Sequence, residues 1–200
     1  MALIEDGNRY LRSIITLTNL GDVGVAEKKL IELESFIKGT LPGLLRQDLH
    51  DLLLIKEADV ECSGYLHLRQ FLGNSRIWKI LARRFVRRTG KYIDLLIFRR
   101  AIPKLAIELK LGYTKIPNKD AISLEKALTH LRVNKAYWIS VIPRRQSDLR
   151  SKPLIKHVTH YTIVGLNKEM SDQDIAEWKK NRRRYMGDMR VGKGKARKHA

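Results

Sequence analysis

The chain has 200 residues and is 44% hydrophobic, so it is long enough for one domain with a buried core or for two small domains. It carries 40 Lys and Arg residues against 21 Asp and Glu residues, and the resulting net charge of +19 predicts a polyanionic partner. A single cysteine, Cys62, excludes an internal disulfide, a four-cysteine zinc site and a cysteine-bound iron–sulfur cluster.

The sequence predicts a soluble protein of the cell interior. The longest stretch without Asp, Glu, Lys or Arg has 11 residues, from His157 to Asn167, and is too short to cross a bilayer. Glu5 and Asp6 are acidic where a secretory signal peptide is basic. We therefore expect the cytoplasm, the nucleoid or the nucleus as the location, and no membrane contact.

Charge is distributed unevenly along the chain. Residues 1–62 have a net charge of −4, whereas residues 63–200 have a net charge of +23. Two segments, Arg76 to Lys104 and Lys179 to Ala200, each hold ten basic residues and one acidic residue. We expect this second part to bind a polyanion such as nucleic acid. The run Gly192 to Lys198 has no apolar periodicity, which predicts a disordered tail.

Hydrophobic periodicity predicts helices in the first third of the chain. Apolar residues at helical spacing predict a helical hairpin over Leu3–Leu20 and Val25–Ile37. A longer helical stretch is predicted from Leu44 to Leu72, with a break near Ser63-Gly64.

The remainder of the chain alternates strands with helices. Strands are predicted at Ile77–Val86, Tyr92–Phe98, Lys104–Leu111, Ala136–Ile142 and His157–Val164, and helices at Lys119–Val133 and Asp172–Arg184. The order α-β-β-β-α-β, followed by a strand and a helix, predicts an α/β fold. We expect an N-terminal helical extension at 1–43, a core domain at 44–178 and a basic C-terminal helix or tail at 179–200.

Three charged residues interrupt two apolar strands. Asp94 falls within the strand from Tyr92 to Phe98, and Glu108 and Lys110 fall within the strand from Lys104 to Leu111. A buried charge without a partner costs several kcal/mol, so these residues are expected to pair with one another or to hold a cation. Two carboxylates beside one amine suit a Mg²⁺ site with a neighbouring ammonium.

Asp94 and the run Glu108-Leu109-Lys110 are separated by thirteen residues and fall on the second and third strands of the predicted core. This pattern resembles the PD-(D/E)xK nuclease superfamily, whose members have the restriction-endonuclease-like fold with a mixed sheet. The resemblance covers about residues 57–142. Ile93 departs from the pattern, because the motif's name has proline at that position.

The resemblance implies a metal-dependent nuclease that hydrolyses phosphodiester bonds, with DNA as the expected substrate. Asp94 and Glu108 would hold Mg²⁺, with Mn²⁺ as a substitute, and the Leu109 backbone carbonyl would be a further ligand. Lys110 would orient or activate the attacking water. A divalent cation screens the repulsion between the anionic phosphate and the nucleophile and stabilises the leaving oxygen.

Many members of the superfamily carry a further glutamate on the helix before the three strands. A helix over 57–72 would place one stripe of residues against the sheet, at Glu61, Tyr65, Leu68 and Leu72. Glu61 is therefore the predicted fourth catalytic residue, and Glu57, one turn earlier, is the runner-up. Lys126 is the predicted supporting polar residue on the helix that follows the strands.

Basic side chains around the predicted site are expected to hold the nucleic-acid backbone. The candidates lie on the first strand, on the following turn, on the helix after the three strands and on the last helix: Arg83, Arg84, Arg87, Arg88, Lys91, Lys126, Arg182, Arg183 and Arg184.

Other interpretations of the sequence stay open. The chain could be a basic nucleic-acid-binding or ribonucleoprotein component without catalytic activity. The N-terminal helices could bind a protein partner that delivers the nuclease to a larger assembly. A homodimer is a further alternative, since symmetric cutting of two strands favours one.

Overall fold

The computed structural model describes residues 24, 27–86, 90–145 and 160–195, without the side chains of residues 84, 86, 91 and 185–195. The chain divides into two compact units, Met1–Thr40 and Leu41–Ala200. In the first unit, residues 27–35 form helix α1, which continues into a π-helical segment at Phe36–Thr40. The predicted helix over Leu3–Leu20 lies outside the described residues.

The second unit is an α/β domain. Its elements, in chain order, are α2 (Leu41–His50), α3 (Glu57–Leu72), β1 (Trp78–Val86), β2 (Lys91–Arg99), β3 (Ile102–Leu111), α4 (Asn118–His130), β4 (Lys135–Arg145), β5 (His160–Leu166) and α5 (Asp172–Lys195). The predicted order α-β-β-β-α-β, followed by a strand and a helix, is confirmed. None of the helices that the structure describes is long and apolar enough to span a lipid bilayer.

The five strands form one mixed sheet in the order β1-β2-β3-β4-β5. Strands β1, β2 and β3 are antiparallel neighbours, because the segments between them, 87–90 and 100–101, are too short for a crossover. Strand β4 is parallel to β3, since α4 carries the chain back across the sheet, and β5 is parallel to β4. The mixed sheet that the sequence predicts is therefore confirmed.

Helices cover the sheet on both faces. Gly64 of α3 lies against Leu109, on the opposite face of β3 from Glu108 and Lys110. Helix α4 packs on the other face, where its residues Leu124 and Ala127 form a buried cluster with Leu96, Ala106 and Trp138 of the sheet. Strand β4 is buried along most of its length, as its nearly continuous apolar run predicts.

The helix predicted over Leu44–Leu72 is two helices, and the predicted break near Ser63-Gly64 is wrong. The break lies at residues 51–56, where Leu52 has a positive φ of 62°. The Asp59 carboxylate then accepts hydrogen bonds from the backbone amides of Ile55 and Lys56, at 3.0 and 2.7 Å, and fixes the start of α3. Gly64 is instead an interior helix residue at a close contact with β3.

Three predicted boundaries near the end of the chain also differ from the structure. Helix α4 ends at His130 rather than Val133, because Arg132 takes a positive φ of 54°. Strand β5 extends to Leu166, and residues 157–159 lie outside the described residues. Helix α5 continues to Lys195, so the disorder predicted from Gly192 onward is wrong for residues 192–195.

The first half of α5 is anchored on the domain. Ile175 and Trp178 are buried, and the Trp178 indole Nε1 donates a hydrogen bond to the Leu49 carbonyl at 3.2 Å. Arg182 donates to the Ile55 carbonyl at 3.2 Å, and its guanidinium lies 5.8 Å from the centre of the Trp178 ring.

Candidate active site

Strand register brings the charged residues of β2 and β3 together. Leu95 pairs with Ile107 in this ladder, so Asp94 and Glu108 come side by side one residue further along. Lys110 lies two residues beyond Glu108 and therefore projects from the same face of β3. The exposed fractions of Asp94, Glu108 and Lys110 are only 7%, 3% and 6%. The three residues predicted to form the site form one buried cluster.

The ammonium of Lys110 lies among four carboxylates. Its Nζ is 3.2 Å from Asp94 Oδ2 and 3.4 Å from Glu108 Oε2. It also lies 2.9 Å from Glu57 Oε1 on α3 and 3.9 Å from Asp120 Oδ2 on α4. Both of these acids are in the first turn of their helices, where the helix dipole favours a negative charge. Residues from two strands and two helices thus meet at one lysine.

The backbone of β3 also contributes to the cluster. The Leu109 amide donates a hydrogen bond of 2.9 Å to Asp94 Oδ2. This bond fixes the orientation of the Asp94 carboxylate and places the Leu109 peptide beside it.

Burial and charge together shift the pKa values of the cluster. Burial, followed by the negative charge of Asp94, raises the pKa of Glu108 well above its usual range. Burial raises the pKa of Asp120 as well, although the Lys110 charge opposes this. Burial lowers the pKa of Lys110, but the charges of Asp94 and Glu108 outweigh it, so the net pKa is raised. Burial therefore disfavours the charged forms of Glu108 and Asp120, and the neighbouring carboxylates keep Lys110 protonated.

The cluster forms the floor of an open cavity of about 570 Å³. Its lining residues come from α3, β1, β2, β3 and α4, and they are Glu57, Arg83, Tyr92, Asp94, Glu108, Lys110, Lys119, Asp120 and Ser123. The cavity is open to solvent, so a polymer could reach the buried carboxylates from outside.

Glu61, the predicted fourth residue, is buried but does not line this cavity. Both of its oxygens are paired with Arg83, with Arg83 Nε at 2.8 Å from Oε2 and Nη2 at 3.2 Å from Oε1. Burial and the Asp94 charge raise the pKa of Glu61, while Arg83 lowers it. The acid of α3 that contacts Lys110 is Glu57, the runner-up of the sequence analysis.

Arg83 has an unusual backbone conformation. Its φ of 45° lies in the left-handed region, and the β1–β2 ladder omits its pairing although both neighbouring residues are paired. Such a conformation costs about 1–3 kcal/mol in a non-glycine residue. The distortion accompanies the contact between the Arg83 guanidinium and Glu61 on α3.

Sequence reasoning missed Asp120 and Ser123. Asp120, Leu124 and Ala127 are spaced i, i+4 and i+7 on α4, and all three are buried. The same helical stripe argument that led to Glu61 would have identified Asp120 as an acid facing the sheet.

Lys126, the predicted supporting polar residue, does not line the cavity. The lysine of α4 that lines it is Lys119.

The predicted nucleic-acid-binding residues have different surroundings. Arg83 lines the cavity, and Arg183 and Arg184 are exposed on α5. Arg182 is half-buried in the contact with Ile55 and Trp178 described above. The side chains of Arg84 and Lys91 and the whole of residues 87–88 lie outside the described part of the chain.

The donor set suits a hard divalent cation. Among the described residues, three buried carboxyl groups, those of Asp94, Glu108 and Asp120, share one buried ammonium, so acids outnumber the cation. Asp120 Oδ2 is buried and has no hydrogen-bond partner in the part of the chain that the structure describes. Within the described residues, no three His, Cys, Asp or Glu side chains already converge in a metal-holding arrangement. In this arrangement the ammonium of Lys110 lies between the carboxylates.

Comparison of the chain with protein-family models, with curated proteins and with solved structures yields no match. The class of the molecule is therefore defined by its own architecture: an α/β protein with a five-stranded mixed sheet and several helices.

Proposed function

We propose that the chain is a metal-dependent nuclease of the restriction-endonuclease-like type, hydrolysing phosphodiester bonds in nucleic acid. One observation carries the proposal. Asp94 Oδ2 and Glu108 Oε2 lie 3.2 and 3.4 Å from Lys110 Nζ. The three residues line an open cavity in a strongly basic protein. The α-β-β-β-α-β order and the mixed sheet around this cluster agree with the proposed fold.

Asp94 and Glu108 are the residues that would hold Mg²⁺ or Mn²⁺, and the adjacent Leu109 peptide and Asp120 offer further oxygens. When bound, the ion would lower the pKa of a water and stabilise charge on the phosphate and the leaving oxygen. The excess of buried negative charge is the feature of this chain that favours such a cation.

Lys110 has a different role in the proposed reaction. An ammonium has three hydrogen-bond donors and no acceptor, so Lys110 Nζ can orient a water toward the phosphorus and donate to a phosphate oxygen. Glu57 accepts a hydrogen bond from this nitrogen at 2.9 Å, which holds the lysine in position. Glu57 is therefore a positioning residue in this proposal.

Binding of the substrate backbone is assigned to cations at the rim. Arg83 and Lys119 line the cavity and are exposed, so they can contact phosphates on either side of the scissile bond. Because DNA and RNA present the same phosphates to these cations, the DNA preference stays part of the proposal.

The test uses the full chain with single-stranded, duplex and branched DNA and RNA, in the presence of Mg²⁺, Mn²⁺ or EDTA. We expect cleavage that requires the divalent ion and is lost in Asp94→Ala, Glu108→Ala and Lys110→Ala. The matched control is Asp51→Ala, which removes an exposed carboxylate that does not line the cavity and should cut normally. EDTA-resistant cutting, or full activity in Glu108→Ala, would contradict the site.

The alternative is a nucleic-acid-binding protein in which the acids and Lys110 are only a buried ion-pair network. The four contacts of Lys110 are the observation that favours it, because they compensate the ammonium without any metal. Binding of nucleic acid without cutting under all metal conditions would support this alternative.

A further inference from the structure

Two exposed aromatic rings lie beside the candidate active site. Tyr92 on β2 and Phe85 on β1 are paired across the strands, with ring centres 5.1 Å apart and ring planes tilted by 54°. Tyr92 is 63% exposed and Phe85 is 46% exposed. Tyr92 also lines the cavity that contains Asp94.

The position of Tyr92 is fixed relative to the catalytic candidates. Tyr92 and Asp94 are two residues apart on one strand, so their side chains project from the same face at a separation of about 6.6 Å along the strand. The cations Arg83 and Lys119 line the same cavity. A polyanion held by these cations with one phosphate at Asp94 would bring a neighbouring nucleotide to the Tyr92 ring.

A second aromatic pair of the domain packs in the core, unlike the exposed pair of Phe85 and Tyr92. Trp138 and Tyr161 are stacked with planes 2° apart and ring centres 4.9 Å apart, and Trp138 is fully buried. That pair is part of the core. Phe85 supports one side of Tyr92, but most of the Tyr92 ring is left open to solvent at the rim of a charged cavity. A cross-strand aromatic pair stabilises a sheet without requiring such exposure.

We propose that Tyr92, supported by Phe85, stacks on an unpaired nucleobase next to a phosphate held by the cations that line the cavity, Arg83, Lys110 and Lys119. This inference rests on the proposed function and specifies its substrate class as single-stranded or locally unpaired nucleic acid. In a duplex the bases are stacked on each other and their faces are inaccessible, whereas aromatic side chains stack on the bases of single strands. The open ring face, the adjacent cations and the adjacent carboxylates together define a site for one base and its phosphate.

The experiment measures binding in the Asp94→Ala protein, so that cutting does not interfere. The probes are twelve-nucleotide single strands of DNA and of RNA, each with one abasic site moved stepwise along the sequence. Because stacking on an aromatic residue contributes about 1–3 kcal/mol per base, removing the stacked base should weaken binding about tenfold at one position. A duplex of the same sequence is the control for backbone contacts.

Variants at Tyr92 then test the residue itself. The Tyr92→Phe change keeps the ring, so the abasic penalty should persist, whereas Tyr92→Leu keeps an apolar side chain without a ring and should abolish the penalty. The matched control is Ile102→Leu, a conservative change at an exposed apolar residue of β3 that pairs with Arg99, at the end of β2 away from Tyr92. Thermal melting of each variant shows whether the β1–β2 hairpin is intact. An unchanged penalty in folded Tyr92→Leu protein would overturn the inference.

The two proposals fail in different ways. If the native chain cuts nucleic acid but Tyr92→Leu leaves the abasic penalty unchanged, the stacking inference fails and the nuclease proposal stands. If the native chain cuts nothing with Mg²⁺ or Mn²⁺, the nuclease proposal fails, and a ring-dependent abasic penalty would still support base stacking at Tyr92. Equal loss of duplex and single-strand affinity in Tyr92→Leu would also overturn the stacking inference.

Discussion

Lys110 is the residue on which the buried charges of the site depend. Its Nζ is the buried cation shared by Asp94, Glu108 and Asp120, at distances from 3.2 to 3.9 Å. In a buried network, removing the single cation leaves several acids uncompensated, whereas removing one acid of several relieves repulsion. The two kinds of substitution should therefore change stability in opposite directions.

We predict that Lys110→Met lowers the free energy of unfolding by about 3–5 kcal/mol near neutral pH, the usual cost of leaving buried charge unpaired. Glu108→Gln should leave it unchanged or raise it, because burial and the Asp94 charge already raise the pKa of this carboxyl. Urea unfolding of both variants, without added metal, measures the difference. Equal destabilisation by both substitutions would show that the cluster is not short of positive charge.

The two glutamates of α3 should differ in their effect on activity. Glu57 contacts Lys110 at 2.9 Å, whereas both oxygens of Glu61 are bound to Arg83. We predict that Glu57→Gln raises the Mg²⁺ concentration needed for half-maximal cleavage by about tenfold or more, as is usual for a group that positions the site from outside the metal ligands. Without the Glu57 charge, Lys110 would pair more closely with Asp94 and Glu108 and compete with the ion for them. Glu61→Gln should change this concentration little, because the partner of Glu61 is Arg83 and not Lys110.

A titration of cleavage rate against Mg²⁺ concentration for both variants checks this prediction. A larger effect from Glu61→Gln would instead make Glu61 the additional acid, as the helical stripe of the sequence suggests. Equal and small effects would leave Asp94, Glu108 and Lys110 as the whole site.

At the scale of residues, the sequence predicted which charged residues share a face of a strand. It did not predict which acid of α3 contacts Lys110. Two charged residues spaced i, i+2 in an apolar strand must share a face, so Glu108 and Lys110 could be placed together before the structure was known. Glu57 and Glu61 lie one turn apart on the same side of α3. Which turn approaches Lys110 depends on how the helix packs on the sheet, and helical periodicity does not give that.

At the scale of elements, α3 packs tightly against β3 at Gly64. A Cβ built on this residue would lie 2.6 Å from Leu109 Cδ1, and Leu109 is fully buried. Leu109 lies between Glu108 and Lys110, so the spacing of α3 and β3 also sets the backbone that carries the site. The sequence alone suggested a helix break here, because glycine in a helix is costly unless packing requires it.

We predict that Gly64→Ala destabilises the protein, because the steric cost of about 1–3 kcal/mol for overpacking outweighs the gain of about 1 kcal/mol in helix propensity. Gly43→Ala is the matched control. Gly43 lies in α2 with no atom within 4 Å of its added Cβ, so the same substitution should stabilise the protein by up to about 1 kcal/mol. Thermal unfolding of both variants shows whether each substitution raises or lowers the stability of the protein. Stabilisation by Gly64→Ala would mean that Leu109 relaxes freely and that the contact does not constrain α3.

At the scale of the whole molecule, the first half of α5 packs on the domain, and a basic segment follows it in the sequence. Ile175, Trp178 and Arg182 attach its first half to the domain, whereas residues 185–200 hold five Lys and Arg residues and one acid. The sequence predicted the charge of this segment from composition, but it did not predict that the helix would continue to Lys195. Apolar periodicity ends near Trp178, and helix continuation beyond it has no sequence signal of that kind.

We predict that deleting residues 185–200 weakens nucleic-acid binding and its salt dependence while the domain stays folded, because Trp178 and Arg182 keep their contacts with Leu49 and Ile55. Each lost phosphate contact should reduce the slope of log K against log salt by about 0.7 on a single strand and about 0.9 on a duplex, through counterion release. A full-length variant with the five basic residues changed to Gln is the control for chain length, and it should match the deletion. An unchanged slope in both proteins would show that the terminal segment makes no phosphate contacts, and the binding surface would then be confined to the cations around the cavity.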